Sequence, residues 1–320
     1  MNESRVINSI TETIGGTPLL ALNRIGAGLN GKIFAKLEYF SPGHSKKDRI
    51  ALSIIDAAEK DGSLAPGQTV VELTSGNTGT GLALVCKARG YPFVAVISRG
   101  NSVERSIMMK ALGAEIFLVD QAPHSQPGQV SGEDMKLVEE AAHKLAAERN
   151  AFRADQFQNL NNMRAHEFGT GPEILKQTAG GITAFCDFVG SGGTFAGCAT
   201  AFKNYNAAIR CFVVEPSEAA VMAGKPTTGA GHPIQGGGYS RTNLLIDKKL
   251  IDGFIQVSGE EAVQMAHRLA MEEGIFGGVS GGANVAAAIK LLQTEIPGAS
   301  IATIICDSGL KYMSTGLWEA

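Results

Sequence analysis

Two rhythms of apolar residues alternate along the chain. Short β-rich runs occupy 33–37, 69–73, 93–97, 115–119, 184–189, 209–214, 254–257 and 301–306. Between them lie longer stretches whose apolar positions recur every three or four residues, the spacing that lines one face of a helix. That spacing predicts a helix behind residue 47, where Ile50, Ile54, Ala57 and Ala58 recur. It predicts others near 79–88, 104–112, 133–149, 172–178, 194–204, 260–273 and 283–294. Strands that alternate with helices imply an α/β fold of parallel sheets covered by helices. In such sheets ligands bind outside the carboxyl ends of the strands. Polar, turn-rich stretches at 124–131 and 224–231 read as surface loops.

Composition narrows the possibilities. A chain of 320 residues can build two lobes and a substantial core. Its net charge of -3 gives no reason to expect nucleic acid or an anionic membrane as partner. No long uncharged apolar run is present, and Met1-Asn2-Glu3-Ser4-Arg5 lacks the basic start of a signal peptide, so a cytoplasmic protein is expected. Cys86, Cys186, Cys198, Cys211 and Cys306 are scattered, odd in number and mostly within apolar runs. They read as small buried hydrophobes in a reducing compartment. The histidines are dispersed too, and no metal site is expected.

Glycine is the informative excess, at 40 of 320 residues against a usual share of about 7%. Many glycines sit in loops that follow strands, where backbone must approach something closely. One cluster misleads. Gly26-Ala27-Gly28-Leu29-Asn30-Gly31 has the spacing of a dinucleotide fingerprint, but a strand-like run follows it where that fingerprint needs a helix.

Four other stretches carry chemistry. Lys47, in Ser41-Pro42-Gly43-His44-Ser45-Lys46-Lys47-Asp48-Arg49, opens a helix. A helix start favours anions, so a lysine there is oddly placed. The other stretches are Thr74-Ser75-Gly76-Asn77-Thr78-Gly79, Gly190-Ser191-Gly192-Gly193-Thr194 and Gly278-Val279-Ser280-Gly281-Gly282. Together they offer an amine, a hydroxyl partner, a phosphate cup and a ring-nitrogen partner. The glycine loop at 190–194 lies between strand and helix, where backbone N–H groups and the Ser191 and Thr194 hydroxyls suit a phosphate dianion.

In order and spacing this set resembles the cysteine synthase and cystathionine β-synthase family, fold-type II enzymes that use pyridoxal 5'-phosphate. The likeness runs from Ile14-Gly15-Gly16-Thr17-Pro18-Leu19 to Asp307-Ser308-Gly309-Leu310-Lys311-Tyr312. It implies two lobes, each a mostly parallel sheet flanked by helices, with the cofactor in the cleft between them. The smaller lobe would be 41–155, and the larger 1–40 plus 156–320. The resemblance implies that Lys47 is the Schiff-base and catalytic lysine, since the family has that lysine directly before Asp-Arg. It further implies that Asn77 meets the cofactor's ring hydroxyl, that Gly190, Ser191, Gly192, Gly193 and Thr194 hold its phosphate, and that Ser280 faces its ring nitrogen. Thr74, Ser75, Asn77 and Thr78, with Gln156, would bind the substrate, chiefly through its α-carboxylate. Lys46, where relatives usually carry an apolar residue, is expected to be solvated or paired.

Other positions depart from the family pattern. The pocket mouth reads Gly236-Gly237-Gly238-Tyr239-Ser240-Arg241-Thr242-Asn243. Tyr239 is as in cystathionine β-synthases, and Ser240-Arg241 looks like a relative that joins O-phosphoserine to glutamate. Gly236, Tyr239 and Arg241 are therefore candidate substrate residues, and a guanidinium suits capture of a carboxylate or phosphate. His44, Arg99 and Leu160 also depart, and all three are expected around the second-substrate site. The implied activity is β-replacement on an O-activated L-serine, O-acetylserine or O-phosphoserine, through an aminoacrylate, as in cysteine biosynthesis. The alternatives are a cystathionine β-synthase-like or amine-nucleophile synthase, or a serine/threonine dehydratase or lyase. The resemblance implies a homodimer acting on small-molecule amino acids. It leaves no room for haem-binding or regulatory modules.

Overall fold

The computed structural model describes residues 6–74, 76–101, 103–125, 130–227, 231–238 and 245–319. Its strands form two sheets. One has the order β5-β4-β3-β6 and joins β3 (Val70–Leu73), β4 (Phe93–Ser98), β5 (Glu115–Val119) and β6 (Phe152–Arg153), all parallel. The second joins β1 (Leu19–Ala21), β2 (Lys32–Leu37), β7 (Ala184–Phe188), β8 (Arg210–Pro216), β9 (Gly253–Val257) and β10 (Ser300–Ile305), in the order β1-β2-β10-β7-β8-β9. It is parallel except at its edge, where β1 runs antiparallel to β2. The expected α/β architecture is present, and the antiparallel edge is a refinement of it. β1 and β6 are too short to leave an apolar rhythm in the sequence.

The inner strands β3 and β4 are buried at every position, which explains their continuous apolar runs. Strand β5 lies at the edge of its sheet and is partly exposed. Apolar clusters cover both faces of each sheet. All five cysteines are free and buried. The Gly26–Gly31 stretch makes turns ahead of β2, so the helix that a dinucleotide fingerprint needs is not there.

Helix starts bring the chemistry-bearing residues into place. Helix α1 (Lys47–Asp61) begins at the lysine itself. Helix α2 (Asn77–Arg89) packs across it. At Gly81 a Cβ would lie 2.9 Å from the Lys47 carbonyl oxygen, so only glycine allows this approach. Helices α3 (Val103–Ala111) and α4 (Gly132–Glu148) complete the layers around the four-stranded sheet. A short α5 (Leu160–Ala165), capped by Asn159, was not legible because Leu-Asn-Asn-Met-Arg-Ala has no apolar period. Helices α6 (Gly171–Gln177), α7 (Gly193–Tyr205), α8 (Gly259–Glu273) and α9 (Val279–Lys290) flank the larger sheet. Helix α9 starts four residues before the expected 283, which puts Ser280 in its first turn rather than in the preceding loop. Among the described residues no helix is long and apolar enough to cross a membrane.

Candidate active site

The loop that presents Lys47 is tied down from three sides. The Lys46 N–H donates to the Cys306 carbonyl at 2.8 Å, and Ser308 N–H donates to the His44 carbonyl at 3.2 Å. Asp48 Oδ2 accepts from the Gly43 N–H at 2.6 Å. Arg49 donates to Glu38 at 2.6 and 2.9 Å and to Glu173 at 2.7 and 2.8 Å. The backbone behind Lys47 is therefore fixed, while its side chain reaches into a cleft, with Nζ 3.5 Å from Ser191 Oγ. Burial and then the neighbouring Lys46 ammonium push the Lys47 amine down to about 8. That is a value at which an amine is partly free near neutral pH.

The cleft is partly open to solvent. It gathers Lys46, Lys47, Asn77, Thr78, Gln156, Gly190, Ser191, Gly236 and Ser280. Leu73, Met135, Phe157, Phe188 and Cys306 make its apolar walls. Asn77 and Thr78 come after β3, Gln156 after β6, Gly190 and Ser191 after β7, and Cys306 after β10, so strand ends supply most of the site. No carboxylate is among the described lining residues.

The glycine loop leads into α7 with Gly192 as its N-cap, at a left-handed φ of 82° that suits glycine. A Cβ on Gly190 would collide with the Gly236 carbonyl, and one on Gly193 with the Asn162 amide. Asn162 Nδ2 in turn donates to Ser191 Oγ at 2.8 Å and fixes that hydroxyl. The Thr194 hydroxyl lies 3.2 Å from His166 Nε2, and burial keeps His166 uncharged. Gly192, Gly193 and Thr194 start the helix but do not line the cleft as Gly190 and Ser191 do.

Asn77 is held at both ends of its amide. Its Nδ2 donates to Asp307 Oδ2 at 2.7 Å, and its Oδ1 accepts from Lys311 Nζ at 2.8 Å. The second N–H on Nδ2 remains to serve a ligand. Thr78 Oγ1 donates to Gln156 Oε1 at 2.5 Å, and Gln156 Nε2 donates to the Leu73 carbonyl at 3.1 Å. Thr74 Oγ1 accepts from the N–H groups of Gly76 and Gly79, both at 2.9 Å, and so caps α2. It is not among the described lining residues. Ser75, Tyr239 and Arg241 lie outside the described residues.

The residues expected around the second-substrate site stand at the surface. His44 is exposed, Leu160 is 55% exposed, and Arg99 pairs with Asp120 at 2.6 Å on the surface. None of the three lines the described cleft. Each stands on a loop or helix start whose outer face meets solvent. Lys46 is paired, not solvated, through Asp187. The sequence also gave no role to Asp307, Lys311, Asn162 or Gln235. Asp307, Lys311 and Asn162 touch motif residues far along the chain, which concealed them.

The residues present fit pyridoxal phosphate. The amine, the glycine loop at a helix start that side chains would block, and the acid-free lining match an aldehyde cofactor with an anionic tail. Comparison with known proteins agrees. Residues 10–307 match the family described as pyridoxal-phosphate dependent enzyme. Cysteine synthase 3 of Caenorhabditis elegans is 41% identical over 100% of this chain and 92% of its own length. The structure of O-acetyl serine sulfhydrylase isoform 3 from Entamoeba histolytica superposes with a TM-score of 0.91 at 35% identity, covering 100% of this chain and 94% of that one. That of O-ureido-L-serine synthase gives 0.89 at 36% identity, covering 99% and 96%.

Proposed function

The chain belongs to the cysteine synthase and cystathionine β-synthase family of pyridoxal-phosphate dependent enzymes, and on that premise we propose that Lys47 is its reactive amine. The reaction is β-replacement on an O-activated L-serine, with cysteine synthesis from O-acetylserine and sulfide as the leading form. The observation that carries this reading is the Lys47 amine beside Ser191 in a cleft with no carboxylate among its described lining residues.

Lys47, Asn77, Ser280 and the 190–194 loop hold the cofactor. Bound, it supplies a sink for the electron pair left when the α-proton departs. Lys47 takes that proton, for which a positioned base typically contributes about 10²- to 10⁴-fold. Thr74, Ser75, Thr78 and Gln156 hold the substrate carboxylate, and Leu73, Met135, Phe157 and Phe188 keep bulk water from the reacting carbon. The hydroxyl of Ser280 leaves the ring nitrogen unprotonated, which suits loss of a β-substituent. In this reading 41–155 forms the smaller lobe and 1–40 plus 156–320 the larger. The protein works as a cytoplasmic homodimer, and its buried free cysteines are consistent with a reducing compartment.

Borohydride reduction followed by peptide mapping tests the lysine. The pyridoxyl mass is expected on Lys47, and its recovery on Lys46 or nowhere overturns the assignment. A second reading rests on the O-ureido-L-serine synthase match, which favours a nucleophile other than sulfide. Incubating activated serines with sulfide, homocysteine and amines separates the two, and release of pyruvate alone would make the protein a lyase.

A further inference from the structure

Asn162, on α5, is fully buried, and its amide joins two parts of the site. Its Nδ2 donates to the Gln156 carbonyl at 2.6 Å and to Ser191 Oγ at 2.8 Å. The Gln156 carbonyl can only accept, so it settles which end of the amide is the nitrogen. Both N–H groups of Nδ2 are then used, and Ser191 Oγ is the acceptor in its bond to Asn162. Lys47 Nζ donates to the same oxygen at 3.5 Å, a long contact. Among the described residues no acceptor takes the Ser191 hydrogen. The amide has little room to turn. Helix α5 is tied to α1 where Ser53 Oγ donates to the Asn161 carbonyl at 2.9 Å, and the start of α7 packs so closely on Asn162 that Gly193 has no space for a Cβ. Asn162 Oδ1 is itself buried without a hydrogen-bond partner. An orphaned buried oxygen costs stability, so folding alone does not account for an amide at this place.

We propose that Asn162 is a positioning residue that presets the Ser191 hydroxyl as a hydrogen-bond donor into the cleft, for an anionic oxygen such as a phosphate offers. The inference rests on the reading of the 190–194 loop as the phosphate cup. A free hydroxyl can turn and present either its hydrogen or its lone pairs. A phosphate dianion accepts and cannot donate, so only the hydrogen serves it. Asn162 takes up a lone pair of Ser191 Oγ from the buried side, and Ser191 itself lines the cleft. The hydrogen is therefore left for the cleft before any ligand arrives, and no rotor has to be ordered on binding. The backbone N–H groups of the loop have their direction from covalent geometry. Ser191 has it from Asn162.

The test separates the phosphate from the rest of the cofactor. Full-length protein freed of cofactor, with its fold checked by circular dichroism, is titrated with pyridoxal phosphate and with pyridoxal, which keeps the ring and aldehyde but lacks the phosphate. Ser191→Ala should weaken pyridoxal phosphate binding about tenfold or more, the usual effect of losing a hydrogen bond to a charged group. Asn162→Ala should weaken it about two- to tenfold, what a neutral hydrogen bond usually contributes. Pyridoxal binding should stay unchanged in both. In a Ser191→Ala background, Asn162→Ala should add little. Equal loss of both ligands would make Asn162 structural and overturn the inference. No loss, or the same loss with and without the Ser191 hydroxyl, would overturn it too. Should Asn162→Ala not fold, neutron diffraction from the parent holoenzyme reads the Ser191 hydrogen directly. It is expected on the cleft side, and a hydrogen pointing at Asn162 overturns the inference. A parent that binds pyridoxal phosphate no tighter than pyridoxal defeats the phosphate reading of the loop itself. A parent that discriminates, with that discrimination unchanged in Asn162→Ala, defeats this inference alone.

Discussion

Lys311→Met tests whether the grip on Asn77 is built from outside the motif that contains it. Lys311 is buried, and its Nζ donates to the Gly43 carbonyl and to Asn77 Oδ1, each at 2.8 Å. Burial pushes its amine down to about 8, against the pull of Asp307 and Asp48. Methionine fills the space but strands both acceptors and leaves the two carboxylates without their cation. Hydrogen bonds from a charged donor contribute roughly 1.5 to 3 kcal/mol each. Leaving a buried acceptor unsatisfied costs about 1 to 3 kcal/mol. A loss of about 3 kcal/mol in denaturant unfolding is therefore expected. The cofactor should also bind about tenfold more weakly, equal to about 1.4 kcal/mol, because the Asn77 amide can then rotate away. Most of that affinity loss should vanish when Lys311→Met is made in an Asn77→Ala background. Equal affinity losses in both backgrounds would show that the two residues act independently. The positioning role of Lys311 would then be refuted, whatever happened to stability.

Glu173 anchors the lysine loop through Arg49 and Lys36, at 2.7 Å each. Burial opposes its charge, but those cations hold the carboxyl at about 2, below the usual 4.5. Its folded value is depressed, so the stabilisation is present above the unfolded value and is lost as pH falls toward 2. Glu173→Gln should cost roughly 2 to 3 kcal/mol at neutral pH, with the gap to the parent closing between about pH 4.5 and 2; a gap constant with pH would show that shape, not charge, matters. Arg241→Ala should cut turnover of an anionic substrate such as O-phosphoserine by roughly ten- to a hundredfold and leave the cofactor spectrum unchanged. Equal loss with neutral substrates would make Arg241 structural, and no loss would favour plain O-acetylserine chemistry.

The alternation of strand and helix was legible because inner strands of a parallel sheet bury both faces. Val70–Leu73 and Phe93–Ser98 have apolar runs for that reason. Lys47 and the loops after β3 and β7 were legible because an α/β sheet delivers its ligand site to strand ends. Strands of two or three residues, such as β6 and β1, and a helix of six, such as α5, fall below the length at which their period can be counted.

Charge was the less legible part, and for a physical reason. Lysines and acids in a sequence read as solvated by default, because isolated charges are rarely buried. In this protein Lys36, Lys46, Arg49 and Lys311 are all buried, with partners far along the chain. Lys46 meets Asp187 across 141 residues and Lys311 meets Asn77 across 234. Neither pairing has a local signature, since the parallel crossovers that join these strands place remote residues side by side. The catalytic loops could be read one motif at a time. The electrostatics that poise them depend on topology, and they appear only once β7, β10 and the lysine loop stand next to each other. Two adjacent lysines in sequence thus become different groups in space. One is held charged by a carboxylate from another strand, and the other is pushed down to about 8 by burial and then by its neighbour's charge.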